Sequence, residues 1–372
     1  MSLPCCDVII PARNAAATLA SAISSVLTQT APNLRLFIVD DGSIDDTQAI
    51  ARFFAVDDRR VRIIHQQGAG IAAAMNTGVA AGNSAFVARL DADDLSDPYR
   101  HARQISYLME HPRVVAISGA HLEIRADGKG TGRMYCPPYV TQTNPRRAPA
   151  IEPSLTQPFM MVRREALVAA GGYRSFPVSE DSDLYWRLAE QGALVSLPEI
   201  VGSYRMHARS ISTKSIENGR LIALCSQLAA LSARRRATEQ ADITLPQHPR
   251  WRDAGNLADM IAQAAADTGL TPDEQRHLRL ASAAKLMELA GYRPYELEAC
   301  DCSFIARTLT LDICALAPDN RAELEKMRCA SAARLLRKRQ ITNALKLASV
   351  SHMPQTLLQA TKGRSYESKL YG

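Results

Sequence analysis

The chain has 372 residues and a formal net charge of +6, long enough for two or three domains that each bury a core. Its 47% hydrophobic and 22% charged residues exclude a disordered, fibrous or repeat protein, and no apolar run approaches the roughly eighteen residues of a membrane-spanning helix. The charge is uneven: residues 331–372 hold eight Lys or Arg against one acid, net +7, so the other 330 residues sum to −1. A neutral body with a basic tail points to a surface contact made by that tail rather than to nucleic acid. MSLPCCDVII carries no basic residue ahead of its apolar run, so no secretory signal is read there. Eight cysteines without CxxC spacing predict free thiols in a reducing compartment, a cytoplasmic location.

In chain order, Asp7–Ile10 predicts a strand stopped by Pro11. Leu19, Ile23, Val26 and Leu27 then recur at helical spacing behind a cap at Asn14 or Thr18. Leu34–Val39 is a second strand, followed by the turn-rich DDGSIDDT and a helix from about Thr47. Val61–Ile64 is a third strand and Ala85–Leu90 a fourth. Strands separated by helices predict a mainly parallel α/β sheet flanked by helices, whose ligands bind at the carboxyl ends of the strands. Residues 125–158, rich in Gly, Pro, Thr and Arg without period, predict an irregular excursion. FMMVRREALVAAGGY then supplies a strand, a short helix and a Gly-Gly stop. Beyond about 215 strand signals almost vanish, and Ala/Leu/Arg-rich helical patterns run to about 348, broken near Pro246–Pro249 and Pro294. The expected domains are therefore 1–214, α/β, and 215–372, all-helical with a basic tail.

Two acidic motifs fall at strand ends. Asp91-Ala92-Asp93-Asp94 places three carboxylates where mutual repulsion and desolvation call for a cation or many donors, and an oxygen-liganded divalent ion bridging to substrate phosphates meets that need. The plainer reading, acids at a helix N-terminus, is satisfied by Asp97 alone. Asp40-Asp41-Gly42-Ser43 is either a strand-to-helix turn or a carboxylate accepting the imide N–H of a uracil. Ser179-Glu180-Asp181-Ser182-Asp183 opens a helix, so its acids serve either the dipole behind an N-cap at Ser179 or as a general base for an acceptor hydroxyl. His207, after a predicted strand and beside Arg205, is compatible with a metal or diphosphate contact, although a single His is more often structural. Gly68-Ala69-Gly70-Ile71-Ala72-Ala73 fits a loose dinucleotide fingerprint but follows the third strand rather than the first, which argues against a nicotinamide or flavin site.

The runs DVIIPARNAAATLASAISSVLTQT, IVDDGSIDDT, GIAAAMNTGVAAGNSAFVARLDADDLSDPYR, FMMVRREALVAAGGYR, SEDSDLYWRL and YRMHARSIS occur in this order. Together they closely resemble the family 2 glycosyltransferases of the GT-A fold, over roughly residues 5–213. The resemblance implies a Rossmann-like sheet, transfer of a sugar from a nucleotide-diphosphate donor with inversion, and Mn²⁺ or Mg²⁺ as cofactor. It implies that Pro11, Ala12 and Arg13 line the nucleotide pocket, that Asp40 holds the base with Asp41 beside it, and that Asn76, Asp91 and Ala92 join the nucleotide-sugar site. Asp93 would bind the metal, His207 would complete the metal or diphosphate site, and Asp181 would be the catalytic base, with Glu180 as the alternative. Two departures stand out. Met75 occupies a position where many members have Arg or Lys, leaving a phosphate contact to Arg13 or Arg89, and Gln157-Pro158 stands where close relatives often have His-Pro.

The function expected is transfer of a sugar, UDP-linked, to a saccharide or lipid-linked acceptor in bacterial-type surface polysaccharide or lipopolysaccharide synthesis. A sugar nucleotidyltransferase is the alternative enzyme, but PARNAAAT lacks the glycines its first loop would need. A non-catalytic nucleotide-sugar-binding module is the other. Residues 327–347 combine Leu335, Leu336, Ile341 and Leu345 with Arg334, Arg337, Lys338 and Arg339. They read either as a basic amphipathic helix on anionic lipid at the inner face of the cell membrane or as a helix packed on its own domain; the wider segment 327–372 is the candidate membrane contact.

Overall fold

The computed structural model describes residues 6–31, 33–137, 142–206, 215–246, 249–348 and 353–361. They group into two compact units. The first takes in Met1–Thr141, Pro153–Phe176 and Glu180–His207, and the second Gln142–Glu152, Pro177–Ser179 and Ala208–Gly372.

The first unit is a mixed sheet. Its strands are β1 (Cys6–Ala12), β2 (Leu34–Asp41), β3 (Val61–Gln66), β4 (Phe86–Arg89), β5 (Leu95–Ser96), β6 (Val114–Arg125), β7 (Gly130–Tyr135), β8 (Met161–Arg163) and β9 (Ala193–Met206). The order is β3-β2-β1-β4-β8-β6-β9-β5, with β7 paired to β6. β1, β2, β3 and β4 run parallel, whereas β8 is antiparallel to both β4 and β6. The helices are α1 (Leu19–Leu27), α2 (Thr47–Asp57), α3 (Ile71–Ala81), α4 (Arg100–Glu110), α5 (Arg164–Ala169) and α6 (Glu180–Ala189).

Alternation along the strands explains why both faces are covered. Val8 and Ile10 of β1 and Leu36 and Ile38 of β2 join one core with Leu19 and Ile23 of α1, Ala51 of α2 and Leu108 of α4. Their neighbours Ile9, Phe37 and Val39 join a second core on the other face with Met75 of α3, Leu167 of α5 and Leu184 of α6. Met75, standing where many relatives carry a cation, is thus a core side chain at 1% exposure.

Pro11 does not stop β1 as expected; the strand runs on to Ala12 beside Asp40. Cys6 donates its N–H toward β2 and the Ile9 carbonyl accepts from Leu90 on the β4 side, so odd residues face β4. The ladder with β4 ends at Ile9, and the missing N–H of Pro11 therefore removes no bond. The chain leaves β3 on one flank and returns to β4 on the other side of β1, which makes the carboxyl ends of β1 and β4 the switch point where open α/β sheets bind ligands.

The described residues of the 125–158 stretch are more ordered than its composition predicts. β6 extends to Arg125 and returns through a hairpin into β7. The 142–152 segment packs within the second unit: Lys285 pairs with Glu152 at 3.0 Å, and Asn320 brackets Ala148 by bonds to its N–H and carbonyl of 2.9 and 2.8 Å. The strand β9 keeps its length past Pro198 because the register with β6 shifts there, leaving the proline in a bulge.

The second unit is helical as expected: α7 (Ile216–Arg236), α8 (Leu257–Thr268), α9 (Pro272–Tyr292), α10 (Ala299–Asp312), α11 (Pro318–Arg337), α12 (Ile341–Leu347) and α13 (Met353–Thr361). Ser215 caps α7 by accepting from the Asn218 N–H, and Thr271 with Glu274 forms a capping box on α9. No helix among the described residues is long and apolar enough to cross a membrane.

Candidate active site

The loops after β1 and β2 are clasped together at the carboxyl edge of the sheet. Asn14 takes a left-handed φ of 51°; its N–H donates to Ser43 Oγ at 2.9 Å and its Oδ1 accepts from the Ile44 N–H at 2.9 Å. The Ala15 N–H donates to Thr47 Oγ1 at 2.8 Å. This clasp holds Pro11, Ala12 and the exposed Arg13 beside Asp40.

Asp40 and Asp41 are adjacent in sequence and opposite in role, because successive side chains of a strand point to opposite faces. Asp40, buried at 1%, accepts from Gln48 Nε2 at 2.8 Å and the Ser43 N–H at 3.2 Å, with His65 Nδ1 at 3.4 Å. Burial raises its pKa, but bonds from Ser43, Gln48 and His65 outweigh it and leave the carboxyl below its ordinary value. Asp41 accepts from Gln66 Nε2 at 2.6 Å and from the N–H groups of Ala69 and Gly70 at 2.7 and 2.9 Å. The glycine turn ahead of α3 thus wraps a carboxylate of the protein itself, with Gly70 at φ 88°. Asn76 has both ends of its amide on the Tyr173 backbone, at 2.7 and 2.8 Å.

Asp91, Asp93 and Asp94 bring carboxylate oxygens within 4.8 Å of one another, with Ala92 buried between them. Asp94 Oδ1 accepts from the Arg205 N–H at 2.7 Å, while its Oδ2 is buried with no hydrogen-bond partner among the described residues. Burial, then the charges of Asp91 and Asp93, push the Asp94 carboxyl well above its ordinary range. Arg205 Nε donates to the Asp93 carbonyl at 2.7 Å and its Nη1 to the carbonyls of Arg125 and Ala126 at 3.2 and 3.0 Å, so it fixes the backbone of the acidic turn. An all-oxygen set with one unpartnered buried oxygen suits a hard divalent cation. A second cluster of ligating types, Glu298, Cys300 and Asp301, is filled by Arg220, at 2.6 Å from Glu298 and 2.8 Å from Asp301.

Arg89 joins this turn to α6. Its Nε donates to Asp91 Oδ1 at 2.7 Å and its Nη1 lies 3.8 Å from Glu180 Oε1. Burial alone would lower its pKa, but Asp91, Tyr173 and Glu180 raise it and keep the guanidinium charged. Burial and then the Asp181 charge push Glu180 up to about 7, against the opposing pull of Arg89. Asp181 Oδ1 accepts from the Ser182 N–H at 2.8 Å. Asp183, third acid of the same motif, points into the core, where Arg174 and Arg187 bind it. Beneath lie Gln157, whose Nε2 donates to Tyr173 Oη at 3.1 Å, and Tyr185, whose hydroxyl donates to Gln157 Oε1. His207 lies outside the described residues.

The sheet edge thus assembles the predicted Pro11–Arg13, Asp40, Asp91–Asp93 and Glu180–Asp181. Arg205, Tyr173 and Tyr185 were not predicted as parts of it, and Arg89 only as a phosphate contact. Of these only Arg89 carries a signal, as an arginine embedded in the otherwise apolar strand FVARL, two residues before the acidic turn.

A profile for glycosyl transferase family 2 matches residues 7–169. EpsE of Bacillus subtilis, a protein named as a glycosyltransferase, is 32% identical over 198 residues, 51% of this chain and 68% of that one. The chain belongs to the family 2 glycosyltransferases. Chondroitin synthase of Escherichia coli is 26% identical over 216 residues, 58% of this transferase but 31% of the synthase. Among solved structures, the mannosyltransferase PcManGT of Pyrobaculum calidifontis, in complex with GDP-Man and Mn²⁺, superposes with a TM-score of 0.50 at 18% identity, covering 96% of this transferase and 87% of that chain. The fold is of the GT-A type.

Proposed function

We propose that this transferase moves a sugar, with inversion, from a UDP-linked donor to a hydroxyl of a saccharide or lipid-linked acceptor. The pathway proposed is bacterial-type surface polysaccharide or lipopolysaccharide synthesis. The convergence of Asp40, the three-carboxylate turn and the Glu180–Asp181 pair at one sheet edge carries the reading; the likeness to chondroitin synthase supports the pathway. Asp40 with Pro11, Ala12 and Arg13 receives the nucleotide, and Asp91 and Ala92 face the ribose or sugar. Asp41 and Asn76 act as supports, since Ala69, Gly70 and Tyr173 already engage their polar atoms. Asp93 is the principal ligand for Mn²⁺ or Mg²⁺, beside Asp91 and Asp94 and with His207 proposed as a further one. A divalent cation there would offset the charge that develops on the leaving nucleotide diphosphate.

Inversion needs a base on the far side of the anomeric carbon. Asp181 takes the acceptor proton in this reading and Glu180 is the alternative, its pKa near the working pH for such a role. Arg89 holds Glu180 and Asp91 in place. The described cysteines are free thiols, which supports a cytoplasmic site of action, peripheral at the inner face of the membrane.

Thermal unfolding with UDP, GDP, TDP or CMP, each with and without Mn²⁺, tests the donor site. UDP at about a hundred times its dissociation constant should add about 2.7 kcal/mol, dependent on Mn²⁺, and Asp93→Ala should remove the Mn²⁺ dependence. No shift with any nucleotide would refute the reading. Transfer rate against pH separates the bases: Glu180 as base makes the rate rise through about pH 7, and Glu180→Gln abolishes that step.

A further inference from the structure

Residues 327–347 fall in two helices rather than one. α11 ends at Arg337, Arg339 adopts φ 62°, and α12 restarts at Ile341. The break divides the apolar residues of this stretch. Leu335 is buried at 3%, whereas Ile341 and Leu345 stand in solvent at 59% and 55%. These two lie one turn apart on the outer face of α12, opposite the buried Ala344 and Leu347. Exposed Arg337, Lys338, Arg339 and Lys346 flank them in the chain. α13 adds exposed Leu357 and Leu358, and its end is tied to the same corner by a bond from Arg337 Nη1 to the Gln359 carbonyl at 3.2 Å. Glu296 pairs with Lys338 at 2.6 Å and accepts from Gln340 Nε2 at 2.9 Å.

We propose that this corner, Ile341 and Leu345 with the exposed cations that flank them, docks on an anionic lipid bilayer. It sharpens the peripheral location proposed above and does not depend on the transfer chemistry, which the nucleotide titration tests separately. Charge complementarity selects the occupant. Arg337, Lys338, Arg339 and Lys346 are all exposed cations, so a second copy would meet like charge, and four exposed aliphatic side chains offer far less area than a stable dimer interface of about 1,000 Å². Bilayer attachment needs only what is present: a few side chains reaching the acyl boundary and a polybasic surface for the headgroups, two weak signals acting together.

The test is flotation of the full chain with vesicles of phosphatidylcholine alone or of equal parts phosphatidylcholine and phosphatidylglycerol. Binding is expected to the anionic vesicles only and to weaken with added salt. Arg339→Asn with Lys346→Gln should lower the partition constant by about 25-fold, about five-fold for each charge removed. Ile341→Asp with Leu345→Asp should abolish binding; both positions are solvent-exposed, so the variant keeps its fold, checked by an unchanged melting temperature. Equal binding to both vesicles, no binding by the wild type, or binding that survives both double variants would overturn the proposal. A dimer or an acidic protein complex that these substitutions dissolve, without vesicle binding, would overturn it equally.

Discussion

Replacing Asp183 separates the structural acid of the SEDSD motif from its functional neighbours. The Asp183 carboxylate is fully buried. Its Oδ2 accepts from Arg174 Nε at 2.9 Å and from Arg187 Nε and Nη2 at 3.0 and 2.5 Å, and its Oδ1 from Arg174 Nη2. Arg187 cannot follow the lost partner into water, because its Nη1 also holds the carbonyls of Ala170 and Gly172 at 2.5 and 2.6 Å. Asp183→Ala therefore removes the buried carboxylate that binds both arginines, and breaking a buried pair from one side costs about 3–5 kcal/mol. That is a large part of the 5–15 kcal/mol typical of a folded domain. Asp181→Asn, on the partly exposed turn of the same helix, should stay within about 0.5 kcal/mol of wild type and lose transfer activity. Urea unfolding followed by tryptophan fluorescence reads the difference, since Trp186 lies on α6 itself. Asp183→Ala should lower the midpoint at unchanged slope and recover activity on cooling, whereas Asp181→Asn should be inactive at every temperature. A wild-type midpoint for Asp183→Ala would refute the reasoning, because it would mean that the two arginines are hydrated without their carboxylate.

Other consequences are equally direct. A Cβ at Gly82 would lie 2.1 Å from Asp7 Oδ2, inside the buried cluster where Asp7 binds Arg35 and Arg164. Gly82→Ala should lose about 1–3 kcal/mol in urea unfolding, while a Cβ at Gly130 meets nothing within 4 Å and raises no clash. Glu274, hydrogen-bonded by Arg235 at 2.7 and 2.8 Å, has its pKa lowered from 4.5 to about 2, chiefly by that arginine. A depressed carboxyl stabilises the fold above its unfolded pKa and loses that effect as pH falls from 4.5 through 2. The full shift corresponds to about 3 kcal/mol, reduced by solvent screening to about 1–2 kcal/mol. Glu274→Gln should therefore be less stable than wild type at pH 7, and the gap in melting temperature should close by about pH 2. Asp94→Asn, which keeps the bond from the Arg205 N–H through its amide oxygen, should fold normally and need more Mn²⁺ for the same nucleotide-induced shift.

Much of the α/β unit was legible from one-dimensional pattern. The continuous apolar runs Val8–Ile10 and Leu36–Val39, and the helical spacing of Leu19, Ile23 and Val26, depend on neighbours within a turn or two, as does an aspartate at the end of a strand. The long pair β6 and β9 was less legible, since it contains a proline bulge and takes its register from distant residues. So too was the hairpin β6–β7, hidden in a glycine-rich stretch.

The sequence by itself determined which carboxylates stand at the edge of the sheet; tertiary structure decided what each one does. Asp40 and Asp41 look alike in sequence, yet one is held by Gln48 and Ser43 while the other clamps a turn at Ala69 and Gly70, 28 and 29 residues away. Asp94 receives its donor from Arg205, 111 positions further on, and Asp183 adds to its i,i+4 partner Arg187 a second arginine, Arg174, from the loop ahead of the helix. Folding brings those donors close and removes the water between them, and in that low-dielectric surrounding the partner a carboxylate meets governs its charge and therefore its role.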